Sequence, residues 1–369
     1  MGGKAIDRPD SEVDRSQAGG LNSFARPPER GAGDGLPMFE FPVLVGDIGG
    51  TNARFWILPD RNAPARLLAH VETDAYPDPS TAIRALLARS DAPAPRSAIL
   101  AVAARVDGPS VHLTNASWTI EGARIGRDFG LGRVDVVNDY VPVAAGAAGI
   151  APDALTPVGP HLAAGTGARL VLGPGTGFGA AALVPYADRL AIVSTEVGHT
   201  DFGPGDDADL EIWSFVERVD GRVTIETLLS GPGLTRLHAA VHRARTGRDG
   251  ARLDPALVTE NGLSGADPHA AEALDLFAKL LGRVCGDLAL TFLAAGGVYI
   301  GGGIAPRILP VLGRGGFRAA FERKPPYVAE MQAIPTSVIA VHDPALTGLA
   351  ALAGRPEVFV YHGHSWRSE

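Results

Sequence analysis

Cysteine is almost absent. Cys285 is the only one in 369 residues, so no disulfide can form within the chain, and no Cys/His cluster has zinc-ligand spacing. Both facts point to a reducing cytoplasm. Cys285 itself lies in an apolar stretch of helical spacing and reads as a small core residue. Lysine is nearly as scarce, occurring only at Lys4, Lys279 and Lys324. None of the three stands in a G-x-x-x-x-G-K-[ST] loop or on a strand over a glycine-rich nucleotide loop, which excludes a P-loop and a protein-kinase core. Any phosphate cradle must use other groups. The net charge is −8, with Arg, Asp and Glu interspersed and no basic stripe, so nucleic acid is not an expected partner. The N-terminal residues lack the apolar core of a signal peptide and the Ser or Thr of a myristoylation site. The longest charge-free run, 288–305, holds Gly296, Gly297, Gly301, Gly302 and Gly303. It reads as a buried helix leading into a strand and a glycine turn, and no membrane association is expected.

With 46% apolar and 20% charged residues, the chain can bury a sizeable core and is expected to form two lobes. Residues 1–40 mix Gly, Pro, Arg and Asp without periodicity and read as a disordered extension. Folding is expected to start with a buried strand at 43–46, a glycine turn at 47–52 and a strand at 54–58. A helix at 80–89 and strands at 98–103, 110–114 and 133–138 follow. The strand–turn–strand design recurs at 169–172, 173–177 and 178–184, which suggests two related α/β lobes. Leu274, Phe277, Leu281, Val284, Leu288 and Thr291 fall at helical spacing, followed by a strand at 298–300, the triplet Gly301-Gly302-Gly303 and a helix at 304–312.

Gly175-Thr176-Gly177-Phe178-Gly179-Ala180 fits the loose dinucleotide pattern G-x-G-x-x-[GA]. That fold needs a helix immediately after the glycines, and 178–184 reads as a strand, so a Rossmann site is rejected. The alternative is a phosphate held by the backbone amides of hairpin turns, with hydroxyls from Thr51 and Thr176. Asp47 at the first turn is suited to hold Mg²⁺ through water. The bland alternative is a pair of ordinary glycine hairpins. Asn138-Asp139 ends a strand, where open α/β sheets bind ligands, and a carboxylate there can take a hydroxyl proton; it could equally cap the following helix. Glu196 and His199, three residues apart, suit a sugar's hydroxyls, a metal half-site or a surface pair. Glu226 is either a further sugar ligand or a first-turn helix acid.

Six ordered segments, GDIGGTNAR (46–54), VNDY (137–140), GPGTGFG (173–179), STEVGHTDFGP (194–204), ETLLSGPGL (226–234) and GGVYIGGGIAPR (296–307), resemble the bacterial glucokinase family over roughly residues 42–350. The resemblance implies an α/β, two-lobed actin-like (ribonuclease-H-like) ATPase fold, each lobe a mixed β-sheet with flanking helices. The expected lobes are 41–149 plus about 340–357, and 150–339, with a C-terminal tail at 358–369. The implied activity is transfer of the ATP γ-phosphate, with Mg²⁺, to the 6-hydroxyl of glucose. By motif, Asp139 would be the catalytic base, and Asn138, Asp139, Glu196, His199 and Glu226 would bind the sugar. The stretch Gly46, Asp47, Ile48, Gly49, Gly50, Thr51 and Asn52 would hold phosphates and Mg²⁺ together with Gly175, Thr176 and Gly177. Gly231, Gly233, Gly302 and Gly303 would line the adenosine site. The resemblance also suggests a homodimer, and the mechanism requires the lobes to close on the sugar. The chain departs from the family at Val197, where a glycine is frequent, and at Tyr140, where Phe is common. Alternatives within the fold are a kinase for another hexose and a sugar-sensing regulator without turnover; the presence of Asp139 and both phosphate turns argues against the regulator.

Overall fold

The computed structural model describes residues 38–113, 116–340 and 343–368. The expected disordered extension lies outside the described residues as far as residue 37, as does Thr114 at the end of the expected 110–114 strand. The strands, in chain order, are β1 (Val43–Ile48), β2 (Asn52–Leu58), β3 (Arg66–Glu72), β4 (Ser97–Val102), β5 (Ser110–His112), β6 (Thr119–Glu121), β7 (Arg133–Asn138) and β8 (Leu155–Pro157). They continue with β9 (Arg169–Pro174), β10 (Phe178–Tyr186), β11 (Arg189–Thr195), β12 (Val298–Ile300), β13 (Thr336–Ile339), β14 (Phe359–Tyr361) and β15 (His364–Arg367).

Two mixed sheets result, in the orders β15-β7-β4-β1-β2-β3 and β14-β11-β10-β9-β12-β13-β8. In the first, the antiparallel meander β1-β2-β3 continues from β1 into the parallel strands β4 and β7. In the second, the meander β9-β10-β11 continues from β9 into the parallel strands β12 and β13. The repeat expected from the two glycine turns is therefore a repeat of strand order. Strands covered on both faces need continuous apolar sequence, and Ser97–Val102 is buried at every position.

Between the sheets, the helices Tyr140–Ala148 and Pro344–Gly354 share a core with Val43, Val45, Val171, Ala181 and Leu183. These helices cross on glycine: a Cβ at Gly348 would lie 1.6 Å from the Pro142 carbonyl oxygen. Only backbone can approach that closely. The other two cores lie one in each sheet's helix layer. One holds Ile83, Ile125 and Trp118, and the other is built on the 25-residue helix Pro268–Phe292. Asp267 caps that helix by accepting from the His269 and Ala270 amides, and Cys285 is fully buried within it. No helix among the described residues is long and apolar enough to cross a membrane.

Two expectations are corrected. The helix expected at 304–312 is confined to Leu309–Leu312, preceded by turns at 302–308. Pro306 and Pro310 each remove a backbone donor, which interrupts a regular ladder there. The C-terminal stretch expected as a tail contains two strands: β14 joins β11 in the second sheet and β15 joins β7 in the first. Trp366 packs against the first sheet's core, giving the short β15 an anchor that its polar neighbours hide.

Candidate active site

The parallel strands β1, β4 and β7 end side by side. The Ala103 amide donates to the Ile48 carbonyl and the Asp139 amide to the Val102 carbonyl, each at 2.9 Å. Asp139 is thereby set at the carboxyl edge of the sheet, facing Asp47 and Glu196. These are the two carboxylates that, after burial itself, push its pKa up to about 7. Its backbone is already helical (φ −62°, ψ −24°), and its side chain makes no capping bond. The cap belongs to its neighbour: Asn138 Oδ1 accepts from the Tyr140 amide at 3.0 Å, and Asn138 Nδ2 donates to the Ala104 carbonyl at 3.2 Å. The helix-cap alternative weighed for Asp139 is therefore excluded by geometry, and Asn138 has much of its bonding capacity committed to backbone.

The first glycine motif divides in two. Gly46 and Ile48 lie inside β1, paired on both sides with β2 and β4. The Ile48 side chain is fully buried in the core, and a Cβ at Gly46 would press on Leu100 at 2.9 Å. Neither residue forms part of the open turn, so the phosphate-holding role expected of them is withdrawn. The turn proper is Gly49 to Asn52, closed by the Gly49 amide donating to the Asn52 carbonyl at 2.9 Å. Asn52 Oδ1 pairs with His70 Nε2 at 3.0 Å. A cavity of about 310 Å³ beside the turn is lined partly by Glu72 and Asp74, whose charge opposes phosphate on that side. Asp47 has its pKa raised by burial, lowered by nearby Arg54 and raised again by Asp343. Arg54 is itself paired to Asp343 at 2.9 Å.

The second turn draws three glycine segments together. The Gly175 amide donates to the Gly177 carbonyl at 2.8 Å, and the Gly231 amide donates to the Gly175 carbonyl at 2.9 Å. Gly231 begins the 16-residue helix Gly231–Thr246, capped by Ser230 Oγ accepting from the Gly233 amide. The helix's positive end is thus brought to the turn. Gly233 faces protein, since a Cβ there would lie 2.4 Å from the Leu228 carbonyl oxygen. Its contribution is packing. Gly302 has φ +80° and would clash with the Pro174 carbonyl if it carried a Cβ, whereas Gly303 is open to solvent.

The sugar-site candidates converge on the same region. Glu226 Oε2 accepts from the Phe178 amide at 2.8 Å, immediately after the second turn. Its role is therefore not that of a simple helix acid. Glu196 precedes a short 3-10 turn, Val197–His199, and His199 ends it. Their side chains make no hydrogen bond to the described residues, and no group of three or more His, Cys, Asp or Glu among those residues could hold a metal ion. Val197 needs no glycine: its φ is not positive, and its side chain packs against the larger core. The Tyr140 hydroxyl donates to the Gly173 carbonyl at 2.9 Å.

Four residues are given no role by the motifs: Thr73, which binds the first turn, Arg54 and Asp343 beside Asp47, and Phe178 through its amide. Arg54 lies in the GDIGGTNAR segment. Thr73 and Asp343 lie outside every motif.

Residues 44–356 match the family model described as Glucokinase. The Glucokinase of Brucella suis is 43% identical over 341 residues, covering 90% of this chain and 98% of that protein. The Glucokinase of Allorhizobium ampelinum is 41% identical over 329 residues, covering 89% and 96%. Among solved structures, the glucokinase from an Antarctic psychrotroph has a TM-score of 0.74 at 30% identity and covers 85% of this chain and 99% of that one.

Proposed function

The chain belongs to the glucokinase family, hexose kinases of the two-lobed actin-like fold, and from that premise we propose how its own residues carry the reaction. Asp139 accepts the proton of the sugar 6-hydroxyl as that oxygen bonds to the γ-phosphorus of ATP. The bond to the bridging oxygen breaks, ADP leaves, and glucose 6-phosphate is formed. One observation supports the assignment: a half-buried carboxylate at the carboxyl edge of three parallel strands, free of capping duty, beside the Asp47 and Glu196 carboxylates that help push its pKa up to about 7.

Glu196, His199 and Glu226 hold the sugar hydroxyls, and Asn138 keeps Asp139 in place while offering its remaining donor and lone pair. The amides of residues 50–51 and of Thr176 and Gly177 in the second turn receive phosphates, and Gly231, Gly302 and Gly303 border the nucleotide beside them. Asp47 is suited to a hydrated Mg²⁺: its half-buried carboxylate makes no hydrogen bond among the described residues, and a second acid, Asp343, stands nearby. When bound, Mg²⁺ would neutralise charge on the transferring phosphates. The lobes 41–149 plus about 340–357, and 150–339, would close over the sugar and exclude water. Reducing conditions suit the single cysteine, and we assign the protein to the cytoplasm.

The test is ADP release with and without glucose, run beside mannose, fructose and glucosamine. Release that depends on glucose, with the highest kcat/KM for it, supports the reading. Preference for another hexose would reassign the substrate, and glucose binding without turnover would reduce the protein to a sensor.

A further inference from the structure

A turn that binds phosphate through its backbone must present N–H groups to the anion and keep its carbonyl oxygens turned away. In the Gly49–Asn52 turn, one residue outside the turn holds both middle carbonyls. Thr73 Oγ1 donates to the Gly50 carbonyl at 2.8 Å, and the Thr73 amide donates to the Thr51 carbonyl at 3.0 Å. A trans peptide sets its C=O and N–H on opposite sides. Anchoring the Gly50 carbonyl therefore turns the Thr51 N–H away from Thr73, and anchoring the Thr51 carbonyl turns the Asn52 N–H likewise. Among the described residues nothing accepts from the amides of Gly50 and Thr51.

Thr73 is delivered by the fold. It follows β3 directly, and the register Asn52↔Glu72 between β2 and β3 brings it level with the turn. It is only 3% exposed although polar. Burying a hydroxyl is costly unless it is bonded, and its bond goes to the turn. A glycine at position 50 would otherwise let the peptide rotate at little cost. Acidic Glu72 and Asp74 flank Thr73 on its side of the turn, so phosphate is favoured on the opposite face, where the amides point.

Resting on the phosphate role of residues 50–51, we propose that Thr73 is a positioning residue for the nucleotide: its hydroxyl locks the Gly50–Thr51 peptide plane so that the Thr51 N–H faces the phosphates. Thr73→Val removes the hydroxyl while keeping the shape and the amide bond, and Thr73→Ser keeps the hydroxyl and removes the methyl. The measurements are calorimetric binding of a non-hydrolysable ATP analogue with Mg²⁺, KM for ATP, and fluorescence-detected glucose binding.

Thr73→Val is expected to weaken analogue binding and raise KM for ATP by about five- to tenfold, the size of one lost hydrogen bond, with glucose affinity within about twofold of the wild type. Thr73→Ser is expected to restore analogue binding. Wild-type affinity in the Val variant, or equal weakness in the Ser variant, overturns the proposal. A wild-type protein that binds the analogue but releases no ADP with any hexose would defeat the kinase reading alone, since the binding comparison would still decide Thr73. Failure of the wild type to bind the analogue would overturn both.

Discussion

The Tyr140 hydroxyl donates to the Gly173 carbonyl at 2.9 Å, joining the residue after Asp139 to the second glycine turn. Its ring lies over Gly179, where a Cβ would fall 1.9 Å from the ring carbon Cε2. The helix carrying the base and the β9–β10 turn are thus pressed together by an aromatic ring and tied by one hydrogen bond. Burial pushes the Tyr140 hydroxyl well above its ordinary pKa, so it remains a donor at all working pH values.

The ring contributes more than the hydroxyl, so the two are separable. Tyr140→Phe is expected to lower kcat/KM for ATP by less than about tenfold, the value of one neutral hydrogen bond. Gly179→Ala must displace the ring and is expected to cost more in both kcat and stability. Steady-state kinetics and thermal unfolding of the two variants check the order.

Glu226 has two duties that a conservative substitution can divide. Its Oε2 accepts from the Phe178 amide at 2.8 Å, a bond that the carbonyl of Gln can also make. Glu226→Gln is expected to preserve KM for ATP while raising KM for glucose by about tenfold, through loss of a charge-assisted bond to a hydroxyl. Glu226→Ala frees the Phe178 amide as well and is expected to raise both. Equal effects of Gln and Ala on KM for ATP would contradict the division.

The Asp139 carboxyl is pushed up to about 7, first by burial and then by Asp47 and Glu196. It acts as a base only when ionised, so kcat/KM is expected to fall as pH drops below that value. Glu196→Gln removes one of the negative neighbours, and the acid limb is expected to move to lower pH. Stability follows the opposite sense. Because the folded pKa lies above the ordinary aspartate value of 3.8, the native state binds more protons than the unfolded chain between the two values. Its stability therefore declines as pH rises through that window. Asp139→Asn should remove this component and raise the unfolding midpoint of the unliganded protein at about pH 8, relative to wild type. Thermal scans of both proteins from acid to pH 8 measure it.

Much of this site was legible in the sequence because its parts are local. The strand at 133–138 has the expected bounds, and both glycine turns fall within their motifs, shortened from 47–52 to 49–52 and from 173–177 to 175–177 because β1 and β9 run further than expected. What was not legible depends on register or on backbone angle. Thr73 reaches Gly50 across 23 positions only because β3 pairs with β2. The β3 sequence RLLAHVE is largely exposed, with Leu67 60% accessible, so it lacks the alternation that marks a half-buried strand. Between Asn138 and Asp139, composition permits either to cap the helix; the already helical φ and ψ of Asp139 decide that Asn138 does. Gly46 and Gly233 share motifs with the glycines of the open turns, yet the neighbours a Cβ would meet show that they serve packing. A motif fixes which residues travel together, and only the fold assigns their directions.

The central claim is that Asp139 takes the proton of the sugar hydroxyl. Its most direct test is kcat for glucose-dependent ADP release by Asp139→Asn, measured beside glucose binding by intrinsic fluorescence. The account predicts a loss in kcat of about 10²- to 10⁴-fold with glucose affinity nearly retained. A kcat within a few-fold of wild type would contradict it.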